Sequence, residues 1–409
     1  MAGTTRSLHP PDAFIDPAWG DKLTDSSGAM QRPCLLLARL NPAASRDDVS
    51  PTGPAPSGKT PMPTAYICEP GAAVKRLGRT LVVTKDNQTL ADIEQVHLSQ
   101  LVLVGRVALT TPAATSLLAA GIPTAFVSSR GRLVGRLVPP MSGAIEVRLG
   151  QFHVYTDPAQ RLAWAKKIVT AKARSMLDVL VALRTGRGDA RDAEAERAIA
   201  DTVQHVIQAE SLRALLGLEG AAAAAYWKAL PRSNSSALTF AGRSRRPPRD
   251  EINAMLSFGY TLLAKEASAT LEALGMDPYL GVYHEPRVNR PALALDVIEP
   301  YRHALVDRLV IRAANRGRFK PDDFTASEGR GPRFTPAALR RFLQTYERAA
   351  LAPACGLPRH DRDDQSLSMR DHLRRRCERL ATAFRKVNRS ASGASRTDTN
   401  PGEQLDMAA

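Results

Sequence analysis

Between Thr64 and Val387 the apolar residues change their spacing once, at Pro139 and Pro140, and that single switch fixes the fold class. Before it come short β-rich runs: TAYIC from Thr64, TLVVT over Thr80–Thr84, HLSQLVLVG over His97–Gly105, IPTAFVS over Ile122–Ser128 and RLVGRLV over Arg132–Val138. Turn-forming residues separate them at Gly71, Gly78, Lys85-Asp86-Asn87, Gly121 and Gly131, and one helix is predicted at about Thr111–Ala120. After the prolines, apolar spacings of three and four dominate to the end, the signature of helices. Asp157 and Pro158 make a cap and first-turn pair, and Leu162, Ala165, Val169, Met176, Leu180 and Leu183 form one stripe of the long helix that follows. Its other face carries Arg161, Lys166, Lys167, Lys172 and Arg174, either a solvated surface or a track for phosphates.

The expected class is therefore α+β, a small N-terminal β-rich domain (64–140) followed by a larger all-helical domain (141–387). Residues 1–63 hold ten of the 29 prolines, with six basic and six acidic side chains, and end in the run PTGPAPSGKTPMP, which predicts an extension of low structure. The last segment, 388–409, lacks apolar periodicity and reads as a disordered tail.

Because the extension is electrically neutral, the whole net charge of +15 belongs to residues 64–409. Such an excess favours a polyanionic partner, since clustered Lys and Arg gain affinity for nucleic acid by releasing its counterions. A hydrophobic fraction of 44% excludes global disorder. No apolar run approaches a membrane span and the start shows no signal-peptide stretch, so a cytoplasmic location is expected. Cys34, Cys68, Cys355 and Cys377 are too far apart for zinc or redox motifs.

One carboxylate falls on the wrong face of its helix. In SLRALLGLEGAAAAAYWKAL, Ser211 is the cap and Leu212, Leu215 and Leu216 mark the buried side. Glu219, nearly two turns beyond Leu212, points the same way. A carboxylate there needs a compensating cation or hydrogen bonds, which an internal salt bridge and a functional role would both supply. A second cluster lies beyond the helix that starts at Asp250 and stops at Gly275: His284, Glu285, Asp296 and Glu299 fall within sixteen residues. Asp296 and Glu299 share one side at the end of a short helical turn between Pro291 and Pro300. An oxygen-rich set with one histidine suits Mg²⁺ or Mn²⁺ rather than zinc. Arg243, Arg245, Arg246, Arg249, Arg287 and Arg290 crowd the same segments and would hold phosphate, the pairing that phosphodiester chemistry requires. Arg302 and Asp307 lie near faces that must pack and read as structural.

Four stretches, GLEGAAAAAYW, RPPRDEINAMLSFGYTLL, LGMDPYLGVYHEP and LALDVIEPYRHALVDRLV, together with the β-rich start, resemble the CRISPR-associated spacer-acquisition integrase and endonuclease family, the larger of the two universal adaptation proteins. The resemblance spans about Thr64–Val387. It implies a metal-dependent DNA integrase whose β domain dimerises and whose helical domain carries the active site. By position, Glu219, His284 and Glu299 would be ligands of Mg²⁺ or Mn²⁺, with Asp296 assisting the metal or orienting a ligand. The implied chemistry is attack by the 3′-hydroxyl of a captured fragment on a phosphodiester at the edge of a CRISPR repeat. The implied partners are double-stranded and branched DNA, a second copy in a homodimer, and a small ferredoxin-like adaptation protein bridging two dimers. Two features depart from the family: the 63-residue extension, and Glu at the third ligand position where some members have Asp.

Two other functions compete. One is a metal-dependent nuclease or mobile-element integrase acting on branched DNA. The other is a DNA scaffold without catalysis, in which Glu219, His284 and Glu299 merely pair with arginines.

Overall fold

The computed structural model describes residues 35–36, 64–128, 133–138, 143–184, 193–245, 247–325, 331–357 and 367–396. Its first part contains strands β1 (Leu35–Leu36), β2 (Thr64–Ile67), β3 (Ala73–Leu77), β4 (Thr80–Lys85), β5 (Gln88–Glu94), β6 (Gln100–Val104), β7 (Ala108–Leu109), β8 (Thr124–Val127) and β9 (Leu133–Leu137), with helix α1 (Thr111–Ala119). They form two sheets, in the orders β1-β2-β6-β8-β9 and β5-β4-β3-β7. All five predicted runs are strands. The hairpin from β4 to β5 turns at Asp86 and Asn87, both at positive φ, the conformation a two-residue turn needs and one that Asp and Asn tolerate. The low-structure reading of residues 1–63 gives way at Leu35–Leu36, which pairs antiparallel with β2; the rest of the extension lies outside the described residues.

The first sheet explains why LVLV has no alternation. Ile67, Leu101 and Leu103 face a small core shared with Val74, Leu81, Val83 and Leu117, while Tyr66, Val102, Val104, Ala125 and Val127 face the core of the helices. A sheet buried on both faces reads as a continuous apolar run. The part before residue 140 therefore has a small core of its own and also lends one face of its sheet to the core of the helices. The seam is also ionic: buried Glu347 accepts from the Thr64 amide at 2.8 Å and pairs with Arg370, which also reaches Glu266 at 2.7 Å.

The helices are α2 (Ile145–Thr156), α3 (Pro158–Arg184), α4 (Ala193–His205), α5 (Leu212–Ala229), α6 (Glu251–Ala273), α7 (Ala292–Tyr301), α8 (Arg308–Asn315), α9 (Pro336–Leu351) and α10 (Met369–Arg396). Their starts follow the expected chemistry, since Asp157, Ser211 and Asp250 each accept from the first-turn amides of α3, α5 and α6. Three expectations need correction. The helical part is not all-helical, because β10 (Phe324–Thr325) and β11 (Arg333–Phe334) form a small antiparallel pair. The tail boundary at 388 falls inside α10, which continues to Arg396. Finally, α7 does not end at Pro300; the proline sits within it, and a π-helical stretch over Arg302–Asp307 carries the chain into α8. Proline removes one donor, and the wider turn that follows accommodates the loss. No described helix is long and apolar enough to cross a membrane.

Helix α2 crosses α10 at Gly150, where a Cβ would stand 1.9 Å from the Phe384 carbonyl oxygen. Alanine ordinarily favours a helix by about 1 kcal/mol over glycine, yet here the obstacle is backbone. Gly150→Ala is expected to destabilise by about 3 kcal/mol, read as a lower urea midpoint; an unchanged midpoint would mean that the helices part without cost.

Candidate active site

Helices α3, α5 and α7 converge on one point, and the residues there occupy stripe positions. On α3, Ala165, Val169 and Met176 are buried, and Lys172 sits between them at the matching spacing, itself only 9% exposed. On α5 the stripe is Leu215, Glu219, Ala222 and Tyr226; Leu216, expected to mark the buried side, is 54% exposed. Glu219 thus points where the sequence predicted, and its partner is Lys172 rather than an arginine. The ammonium donates to Glu219 Oε1 and stands 2.8 Å from Oε2 of Glu299 on α7.

Glu299 is fully buried. Its Oε1 lies 3.3 Å from Arg302 Nη1 and 3.7 Å from His284 Nε2. The contact from Lys172 to Oε2 lacks the alignment of a hydrogen bond, so that oxygen has charge compensation but no donor. Burial alone would raise the Glu299 carboxyl, but Arg302, Lys172 and His284 together outweigh it and hold the group well below the usual carboxylate range. It is ionised at neutral pH.

Asp296 has a different task. Its Oδ2 accepts from the amides of Val282 and Tyr283 at 2.7 and 2.9 Å, and its Oδ1 accepts from the His284 amide at 3.0 Å and from His284 Nδ1 at 2.6 Å. With four donors on two oxygens the carboxylate is saturated. It fixes the loop that carries His284, and because a carboxylate can only accept, Nδ1 donates to Asp296 and Nε2 is the ring nitrogen that faces Glu299. Asp296 is therefore a positioning residue. This orientation of a histidine by a carboxylate behind it is the usual support of a metal-ligating imidazole.

Glu219 Oε1, Glu299 Oε2 and His284 Nε2 form an oxygen-rich donor set with one unclaimed buried oxygen, which fits a hard divalent cation. As the side chains stand, no three His, Cys, Asp or Glu among the described residues are drawn close enough to hold a metal, and Lys172 is what stands between the two glutamates.

The sequence did not single out two residues of this site. Lys172 read as part of a basic face, although its spacing from Val169 and Met176 places it on the apolar stripe. Tyr283 packs edge-on against the His284 ring, its hydroxyl buried without a hydrogen-bond partner; burial and the carboxylates of Glu219, Glu299 and Asp296 push its phenol well above the usual range.

Other candidates lie elsewhere. Glu285 is exposed and pairs with Arg161 at 2.6 Å, whose Nε also donates to the Val282 carbonyl, so Arg161 braces the histidine loop. Arg243 is not a free phosphate contact: it donates to Asn253 and Ser257 and lies over the Trp227 and Tyr260 rings, holding its loop against α6. Arg245 and Arg249 are exposed, and Arg246 lies outside the described residues. Arg287 is exposed and Arg290 half-buried, the two joined across a turn whose Val288 is 92% exposed. Arg302 lies against Glu299, while Asp307 accepts from Tyr226, Tyr260 and His303 in the interior, the structural role expected of it.

The model of the family described as CRISPR associated protein Cas1 matches residues 65–348. A Cas4 exonuclease/Cas1 endonuclease fusion from Geobacter sulfurreducens is 36% identical over 293 residues, 69% of this chain and 52% of the fusion. A Cas1 endonuclease from Thermus thermophilus is 34% identical over 284 residues, 69% of this chain and 83% of that protein. Among solved structures, a casposase bound to integration product shares the fold with a TM-score of 0.68 at 22% identity, over 80% of this chain and 91% of the other. The chain spans about half the length of the fusion relative it matches. The family's pattern runs from β2 into α9 and takes in Lys172, Glu219, His284, Asp296 and Glu299, and on that ground the chain belongs to the Cas1 family of CRISPR-associated proteins.

Proposed function

We propose that the chain is a metal-dependent DNA endonuclease and integrase that inserts captured fragments into a CRISPR array. The observation that carries this reading is the convergence of Glu219 and Glu299 on one buried cation beside His284, whose Nε2 is aimed by Asp296. Glu219, His284 and Glu299 would hold Mg²⁺ or Mn²⁺, which supplies Lewis-acid polarisation of the phosphate and offsets charge developing at phosphorus. Asp296 keeps the imidazole in the ligating tautomer, and Arg302 keeps Glu299 ionised. The exposed Arg245, Arg249 and Arg287, with Arg290, would lie along the DNA backbone.

In strand transfer, the fragment's 3′-oxygen forms a bond to phosphorus as the bond to the target strand's 3′-oxygen breaks. The proton of the attacking hydroxyl is passed on to the departing oxygen, so the number of phosphodiester bonds is unchanged and no external energy source is needed. Two strands must be joined and the described chain carries one such site, so two copies act together, with the β-rich part as the dimer surface and a small ferredoxin-like partner bridging two dimers.

The test is an integration assay with a 3′-hydroxyl fragment, a plasmid carrying the repeat, Mn²⁺ and the small partner. Joined product at the repeat edge, dependent on the partner and absent with a 3′-deoxy fragment, is expected. Cutting of branched DNA without any joining would give the function to a nuclease instead.

A further inference from the structure

The place between Glu219 and Glu299 already holds a positive charge, and it comes from the chain itself. Lys172 is rooted on a buried stripe of α3 and only 11% of its side chain is exposed, yet its ammonium makes a single hydrogen bond, to Glu219, beside one unaligned contact to Glu299. An ammonium has three donors to satisfy and a four-carbon stem that swings while its Cα stays fixed. This cation is held by charge more than by directed bonds. A divalent ion shared by the same two carboxylates could not coexist with it at contact distance, because like charges in a partly buried site repel strongly. Glu299 would not lose its compensation if the ammonium left, since Arg302 remains on its other oxygen.

We propose that Lys172 is a built-in counter-cation that vacates the gap between Glu219 and Glu299 when a divalent metal enters, and that its displaced ammonium is then neutralised by a phosphate of bound DNA. Metal loading becomes an exchange of cations. The inference rests on the reading of Glu219, His284 and Glu299 as metal ligands and adds a consequence that reading does not contain: metal and DNA bind cooperatively through one lysine. Without DNA, the released ammonium is left close to Arg302, His284 and the metal, which opposes exchange. With DNA it meets an anion. Coupling of this kind is reciprocal, so the metal tightens DNA by the factor by which DNA tightens the metal.

The test uses the full chain stripped of metal by chelation and titrated with Mn²⁺, free ion being followed by its paramagnetic resonance, with and without a short DNA duplex. Wild type should bind Mn²⁺ weakly alone and about tenfold more tightly with the duplex. Lys172→Met should bind about tenfold more tightly than wild type without DNA, gain little from the duplex, and melt at a lower temperature than wild type only while metal-free. Lys172→Gln, which keeps a donor to Glu219 but not the charge, should follow Lys172→Met and serves in its place if the methionine variant does not fold. Lys172→Arg should retain the duplex dependence. The exchange is overturned if the neutral variants bind Mn²⁺ no better than wild type, or if the duplex tightens Mn²⁺ equally in all of them. If neither wild type nor any variant binds Mn²⁺ under either condition, the metal site itself is lost along with the exchange.

Discussion

Glu219→Ala and Glu299→Ala are expected to abolish metal-dependent cutting of branched DNA alike and to part company in stability. Either change removes a carboxylate from the donor set, and activity should fall by at least about 100-fold, the scale of deleting one group that stabilises developing charge. Glu219 is one-fifth exposed and shares its lysine with Glu299, so its loss leaves Lys172 paired and should cost within about 1 kcal/mol. Glu299 is fully buried and compensates both Lys172 and Arg302; truncating it leaves the buried Arg302 without its carboxylate and Lys172 with Glu219 alone, and should cost about 3–5 kcal/mol. The same asymmetry has a pH signature. A carboxyl held below its ordinary value contributes stability that is fully present above the unfolded-state value, about pH 4.3, and is lost as the pH falls toward the folded one. Denaturant midpoints measured from pH 7 down to pH 3 should therefore draw together for wild type and Glu299→Ala. Equal destabilisation by both changes would show that Glu299 is not the buried anchor of the site, and wild-type turnover in Glu219→Ala would remove Glu219 from the ligands.

How far the sequence carried the fold and the site depends on whether the governing contacts are local. Caps are local, and Asp157 and Ser211 were legible as caps and Asp250 as a helix start. The strands with apolar runs were too, whereas AVKRL and QTLADIE, which form β3 and β5, present mostly exposed and charged residues with one buried side chain each and read as turn surroundings. Stripe positions are also local, which is why Glu219 could be placed and why Lys172 could have been: its spacing was in view, but four basic neighbours on α3 made it look like surface. What no spacing discloses is that these two, 47 residues apart, meet a third group on α7. Arg243 shows the converse error. An arginine in a basic run looks available to phosphate until packing against Asn253, Ser257 and two aromatic rings decides otherwise.

Asp296 was read as sharing a side with Glu299 and either assisting the metal or orienting a ligand, and its bonds to the His284 loop favour the second; its variants should show the largest combined loss in the protein. Asp296→Ala leaves three backbone donors and one imidazole donor without an acceptor in a site 1% exposed, and unsatisfied buried groups cost about 1–3 kcal/mol each. The loop over Val282–His284 then keeps Arg161 on the Val282 carbonyl but loses the acceptor of its three amides, and unfolding at assay temperature is the expected result. Asp296→Asn separates fold from function. Its amide oxygen can keep the Val282 and Tyr283 bonds, which turns its NH₂ toward the His284 amide and Nδ1. Two donors cannot face each other, so the imidazole moves its proton to Nε2 and accepts at Nδ1 instead. The variant should remain folded, losing about 2 kcal/mol for the remaining donor clash, while His284 presents a proton where a lone pair is needed. Nitrogen-15 spectra of the imidazole in the metal-free chain should show Nδ1 protonated in wild type and Nε2 protonated in Asp296→Asn, with Mn²⁺-dependent cutting lost. If the asparagine variant keeps the wild-type tautomer and still fails to cut, Asp296 acts by its charge and not by orienting the ring.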